Sequence, residues 1–240
     1  MSSIKIKGII FDYGGTIDTN GIHWGEFIWE QYKEAGIGIA RNTYREAYVH
    51  GERYLAKNPV IAPSDTFHTL LRKKLDIHFE YLRERFPEKG FAKEVAVAIA
   101  DSCYSKVKAT LETTCAVVEK LSEKYPMVLV TNFYGNMPVV LEEFGLSKHF
   151  KTIVESSVVG LRKPDPALFA LGVKALGIAP QEIVVIGDSY RKDIHPASTL
   201  GCKTVWLKDI CWEEETITPG HEATAIIKSL EALPEIIGCM

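Results

Sequence analysis

An apolar run, Ile9-Ile10-Phe11, stops at Asp12 and is broken by Gly14-Gly15, and residues 20 to 108 of this 240-residue chain then contain nothing that reads as a strand. The run has the form of a buried strand, and the glycine pair is a strong stop signal. Helices are expected instead over Ile22 to Ala35, Asn42 to Lys57, Ser64 to Phe86 and Phe91 to Lys108, with breakers at Gly36 and Gly38, Asn58-Pro59, and Pro87 with Gly90. From about residue 111 helix and strand alternate, which implies a parallel sheet. Its strands are expected at 127 to 132, 151 to 156, 182 to 188, 202 to 207 and 224 to 227, with helices at Met137 to Phe144, Pro166 to Leu176 and Arg191 to Leu200. A first strand separated from the rest by a helical block predicts a doubly wound, Rossmann-like α/β core carrying an inserted, mainly helical cap. The core is assigned to residues 1–19 and 109–240 and the cap to 20–108. The two would join near Thr19-Asn20-Gly21 and near Ala109 to Thr114, a natural hinge for closure over a substrate.

Composition limits the partners. Apolar residues make up 46% and charged residues 25%, as in an ordinary soluble globular protein. A net charge of -3 supplies no broad basic surface, so nucleic acid is not expected as a partner, while a small anion at a local site is compatible. The apolar run near the start is too short for a signal peptide, and no stretch reaches membrane-spanning length. Cys103, Cys115, Cys202, Cys211 and Cys239 are odd in number and scattered, with no CxxC spacing, and read as reduced thiols of a cytoplasmic protein.

Three expected strands end in residues that a purely structural account does not need: Asp12, Thr131 and Asp188. In an open parallel sheet, ligands bind in the crevice beyond the carboxyl ends of the strands. Two carboxylates meeting there repel unless a cation lies between them, and hard oxygen donors at a phosphate site favour Mg²⁺.

At these positions the sequence resembles the haloacid dehalogenase superfamily, most of whose members transfer phosphoryl groups. "FDYGGTID", "VLVTN", "GLRKPDP" and "IGDSYRKD" resemble its four motifs in order, covering about residues 4 to 19 and 111 to 237 and leaving the cap unassigned. The resemblance implies that Asp12 is the nucleophile, forming an aspartyl-phosphate, and that Thr131, Asn132 and Lys163 hold the phosphate. It implies that Asp12, the backbone carbonyl of Gly14 and Asp188 bind Mg²⁺, with Asp193 orienting a metal-bound water or Lys163 from behind. A dianionic phosphate meets an anionic nucleophile only when cations screen the repulsion.

One position departs from the family's phosphatase pattern. Where a second aspartate would protonate the leaving group and later activate water, this chain has Gly14. The implied substrate is a small soluble phosphate compound with a good leaving group, unless the cap supplies the proton through His23 or Glu26, or through His50 or Glu52 further on. Three alternatives stay open: an impaired phosphate-binding or regulatory protein, a dehalogenase-like hydrolase, and a phosphonatase-like one with a cap lysine such as Lys33 or Lys57. Against dehalogenation, the fourth motif keeps its metal-binding Asp188. Among the cap aromatics only Trp24 reads as a substrate contact, and Glu213-Glu214-Glu215 reads as solvated.

Overall fold

The computed structural model describes residues 5–240, so the first four residues of the expected core segment lie outside the described residues. The elements in order are β1 (Gly8–Phe11), α1 (Trp24–Glu34), α2 (Arg41–Lys57), α3 (Phe67–Arg85), α4 (Lys93–Ser122), β2 (Met127–Thr131), α5 (Met137–Glu143), β3 (Thr152–Glu155), α6 (Ser156–Val159), α7 (Pro166–Leu176), β4 (Ile183–Gly187), α8 (His195–Thr199), β5 (Lys203–Leu207), β6 (Ala225–Ile227) and α9 (Leu233–Gly238). All six strands are parallel, in the order β3-β2-β1-β4-β5-β6. That is the doubly wound arrangement, built outward from β1 in both directions.

Alternation of side chains along each strand divides the core into two layers. Ile10, Val128, Val130, Ile183 and Val185 face Leu168, Phe169 and Leu176 of α7 on one side. Ile9, Phe11, Met127, Leu129, Val184 and Ile186 belong to the larger cluster on the other side, which continues into the cap. Strands buried on both faces are apolar without interruption, which is why "GIIF", "MVLVT" and "IVVIG" carry no polar alternation before their ends.

The expected cap helices are present, but the last differs in extent. A helix end was expected at Lys108; α4 instead runs without a break to Ser122, about 45 Å at 1.5 Å per residue. It buries Ala96, Ile99, Ala100, Cys103 and Val107, then Leu111, Thr114, Val117, Val118 and Leu121, one stripe at helical spacing. Thr114 donates its hydroxyl to the Ile17 carbonyl at 2.9 Å, tying this helix to the loop after β1. The second crossing is thus a helix interior and no loop. The first, at Asn20 and Gly21, has positive φ at both residues, and the Asn20 side chain is held by Ser229 and the Leu230 amide.

A third connection joins the two parts. Trp212, in the segment between β5 and β6, stacks on His23, packs 4.9 Å from the Tyr48 ring and lies under the Arg45 guanidinium, while Arg45 pairs with Glu213. Glu213 is therefore paired, and Glu215 accepts from the Ser189 hydroxyl and from the amides of Tyr190 and Arg191. Glu213 and Glu214 are exposed, as expected of a solvated run; Glu215 departs from it, because it lies over the start of a turn whose N–H groups need acceptors.

One buried group in the cap makes a pH prediction. His78 on α3 is fully buried, neither ring nitrogen has a hydrogen-bond partner, and a Cβ on Gly51 would lie 2.4 Å from its ring. Burial, then the charge of Lys74, lowers its pKa to about 3. A base whose pKa is depressed on folding contributes stability that is complete above the unfolded value near 6.5 and is lost as pH falls toward the folded value. Between pH 7.5 and pH 5 the wild type should lose roughly 2 kcal/mol relative to His78→Leu in urea unfolding. Identical pH dependence in both proteins would show that His78 titrates normally.

Candidate active site

β1 and β4 are neighbours, and the Asp12 amide donates to the Ile186 carbonyl at 2.9 Å, so the strand ends that carry Asp12 and Asp188 are laced together. Gly15 makes their approach possible. Its φ is +90°, and a Cβ there would fall 2.4 Å from Asp188 Oδ2, so only glycine lets the first loop lie against that carboxylate. One carboxylate oxygen from each of Asp12, Asp188 and Asp193 lies within 4.8 Å of the others.

Lys163 sits among them, buried, with Nζ 2.7 Å from Asp12 Oδ1 and 2.6 Å from Asp193 Oδ1. It leaves β3's end by the loop after α6 and is joined to Pro164 by a cis peptide bond. Asp193 belongs to a wide helical turn, Tyr190–Ile194, that runs into α8, and it also accepts from the Ser189 amide at 3.1 Å. Burial, then the charges of Asp193 and Asp12, pushes the Asp188 carboxyl well above the ordinary range. Asp193 rises to about 6 from burial, against the pull of Lys163. One lysine does not balance three carboxylates, and buried charges left uncompensated are costly. The Gly14 carbonyl accepts no hydrogen bond among the described residues. This set of hard oxygen donors fits a divalent cation such as Mg²⁺.

Thr131, at the end of β2, is buried and lines the same cavity. Asn132 lines it too: Oδ1 accepts from the Lys163 amide at 3.0 Å and Nδ2 donates to the Lys163 carbonyl at 3.2 Å. Its side chain thus also braces the Lys163 backbone.

The cap candidates separate. Glu26 does not line the cavity; it lies on α1 and pairs with Arg41 at the start of α2, so its carboxylate is already neutralised. His50 lies against Tyr81 and Tyr54 in a different groove. Lys33 pairs with Glu30 on the surface, and Lys57 lines only outer grooves. His23 reaches the cavity, yet its Nδ1 accepts from the Gly25 amide to cap α1. Burial, then Lys192, lowers its pKa to about 3, so it is a neutral ring at physiological pH. Trp24 and Glu52 line the cavity as expected of the first and allowed for the second.

Several lining residues were not singled out from sequence, among them Asp18, Tyr48, Lys74, Tyr134, Arg162 and Lys192. Asp18 accepts from the Gly15 amide at 2.7 Å and from the Trp24 indole at 2.9 Å, so it folds the first loop and anchors the cap tryptophan. Burial raises its carboxyl to about 7 against those two hydrogen bonds. The cavity they enclose is small, ≈ 110 Å³.

Residues 6–201 match the haloacid dehalogenase-like hydrolases. The chain is 31% identical over 129 residues to a phosphoserine phosphatase of Thermus thermophilus, 52% of each protein. It is 26% identical over 166 residues to a glyceraldehyde 3-phosphate phosphatase of Pyrococcus furiosus, 67% of this chain and 68% of that one. The chain thus spans about half the length of the first relative. The crystal structure of the hydrolase YfnB of Bacillus subtilis, bound to magnesium, superposes with a TM-score of 0.57 at 17% identity, over 97% of this chain and 99% of that one, a likeness of fold. Since the family match takes in most of the chain, including Asp12, Asp188 and Asp193 of the acidic cluster, this protein belongs to the haloacid dehalogenase-like hydrolases.

Proposed function

We propose that this chain is a Mg²⁺-dependent phosphatase that removes phosphate from a small soluble, phosphorylated metabolite through Asp12, in the cytoplasm. The observation that carries the proposal is the bridge of Lys163 between Asp12 and Asp193, with Asp188 in the same cluster. Asp188 is what weighs against dehalogenation, because displacement of halide by Asp12 calls for no metal ligand there.

In the first step an Asp12 carboxylate oxygen attacks phosphorus; the bond to the substrate's leaving oxygen breaks, and that oxygen departs with the electron pair. In the second, water adds to the phosphoryl group and Asp12 is released as carboxylate with inorganic phosphate. Lys163, 2.7 Å from Asp12 Oδ1, screens the approaching dianion, and the Thr131 hydroxyl donates to a phosphoryl oxygen. Bound between Asp12, the Gly14 carbonyl and Asp188, Mg²⁺ would supply charge neutralisation and orient the phosphate. Asp193 positions Lys163, and Asn132 fixes its backbone.

The leaving oxygen finds no donor at Gly14, whose Cα faces Trp24. Asp18 does not replace one, because both its oxygens are committed to Gly15 and Trp24. A phosphonatase-type imine on a cap lysine is disfavoured as well. The cap lysine in the cavity, Lys74, is paired with Glu52, which raises its pKa despite burial and keeps it protonated.

The test combines turnover with binding. Acetyl phosphate and p-nitrophenyl phosphate should be hydrolysed only with Mg²⁺ present, and Asp188→Asn should weaken calorimetric Mg²⁺ binding by tenfold or more, about 1.4 kcal/mol. Mg²⁺ binding without any turnover would leave an impaired phosphate-binding protein; unchanged binding in the variant would remove Asp188 from the site.

A further inference from the structure

The cap walls the cavity with Trp24, Tyr48, Phe67, Leu70 and Leu71, and into this apolar surface it sets two charges, Glu52 of α2 and Lys74 of α3. The Lys74 side chain is 7% exposed; its Nζ lies 2.6 Å from Glu52 Oε1 and faces the rings of Trp24 and Tyr134 at 5.7 and 5.5 Å. Tyr134 donates its hydroxyl to Glu52 Oε2 at 3.3 Å. The Glu52 side chain is 30% exposed, so the pair is half-buried, and holding two charges at a largely apolar wall is a poor way to gain stability, since apolar residues of the same volume do as well or better. Its donors and acceptors are also incompletely used. An ammonium has three N–H groups and a carboxylate about four lone-pair positions. Among the described residues Lys74 has no acidic partner other than Glu52.

The sign of the charges restricts what can complete this pair. A lone carboxylate drawn to Lys74 meets Glu52, and a lone ammonium drawn to Glu52 meets Lys74. A head with both charges on one carbon meets an attraction at each. Arg162 and Lys192 line the same cavity without an acidic partner among the described residues, which suits the negative charge left over in such a ligand once phosphorylated. The cavity is small, ≈ 110 Å³, which favours a compact ligand.

We propose that Glu52 and Lys74 are the specificity-determining residues of this enzyme and select a small phosphorylated amino acid, Glu52 receiving the ammonium and Lys74 the carboxylate. The assignment rests on the Asp12 site being a phosphatase.

The probes are O-phosphoserine, with both charges, phosphoethanolamine with the ammonium only, phosphoglycolate with the carboxylate only, and glycerol 1-phosphate with neither. Each is used to compete against Mg²⁺-dependent hydrolysis of acetyl phosphate. All four are primary alkyl esters, so the missing proton donor affects them alike and the competition constant reports the head. O-phosphoserine should compete at least tenfold more tightly than the other three. In the double variant Glu52→Gln/Lys74→Met, which removes both charges together and leaves neither stranded, that advantage should shrink to threefold or less. Equal competition by the four esters in the wild type overturns the assignment even if the double variant fails to fold, as does an advantage that survives the double substitution. Turnover of acetyl phosphate without preference removes only the amino-acid head; absence of any turnover removes the phosphatase reading and this assignment with it.

Discussion

Asp12→Asn should reduce Mg²⁺-dependent hydrolysis of acetyl phosphate by roughly 10⁴-fold or more, the scale expected when a nucleophile is removed from a covalent mechanism. Asparagine keeps the shape of the side chain and can still accept from Lys163 Nζ, now 2.7 Å from Asp12 Oδ1, so the fold should persist. What disappears is the negative charge that attacks phosphorus. The wild type, quenched in acid during turnover, should carry a phosphoryl group on Asp12 that hydroxylamine removes, and the variant should carry none. A variant within tenfold of the parent, or a label found on Asp188, would take the nucleophile's role from Asp12. Lys163→Ala should behave differently: it strands two buried carboxylates, Asp12 and Asp193, and so costs stability by about 3–5 kcal/mol as well as activity.

The parts legible in the sequence are those where one chemical rule acts alone. Strands β1, β2 and β4 are buried on both faces, so they read as apolar runs, and their ends read as polar interruptions at Asp12, Thr131 and Asp188. Where two rules overlap, reading by pattern fails. A helix end is expected at Lys108, yet from Lys93 to Ser122 there is neither glycine nor proline, and the helix continues because nothing stops it. Glu26 stands close to the first motif in sequence, but one helical turn directs it to Arg41. Asn132 is adjacent to Thr131 and lines the same cavity, but its side-chain pairing in both directions with the backbone of Lys163, 31 residues on, has no local signal.

Glu52 and Lys74 were hidden for another reason: charged residues in amphipathic helices are ordinarily on the wet face. A signal was there. Lys74 falls in phase with Phe67, Leu70, Leu71, Leu75 and His78, and Glu52 with Tyr48 and Leu55, the buried stripes of α3 and α2. A charge inside a buried stripe has to be paired or used, and two such charges on neighbouring helices point to a common site. Asp18 carries no comparable signal, because its hydrogen bonds to Gly15 and Trp24 depend on how the loop after β1 turns.

Gly14→Asp should raise the hydrolysis of alkyl phosphates selectively, by up to about 10²–10⁴-fold, the usual contribution of general acid-base assistance. In the wild type, rates should fall steeply as leaving-group pKa rises, with acetyl phosphate and p-nitrophenyl phosphate far ahead of glycerol phosphate, because the departing alkoxide has no proton donor. There is room for the new side chain. A Cβ at Gly14 would have Trp24 at 3.8 Å as its nearest neighbour, an ordinary contact, and φ there is not positive. An aspartate placed here would stand in the cavity beside Asp12, where a carboxylic acid can give its proton to the leaving oxygen and its carboxylate can then take one from water. Acetyl phosphate should gain little in the first step, since its leaving carboxylate needs no proton, and that contrast separates acid catalysis from a general improvement of the site. A misplaced carboxyl would recover only part of the effect. If the wild type already hydrolyses alkyl and nitrophenyl phosphates at similar rates, with the second step shown not to be limiting, then another group delivers the proton. Asp18, held near neutrality, would be the first to replace by asparagine, because its commitment to Gly15 and Trp24 would have to break for it to act.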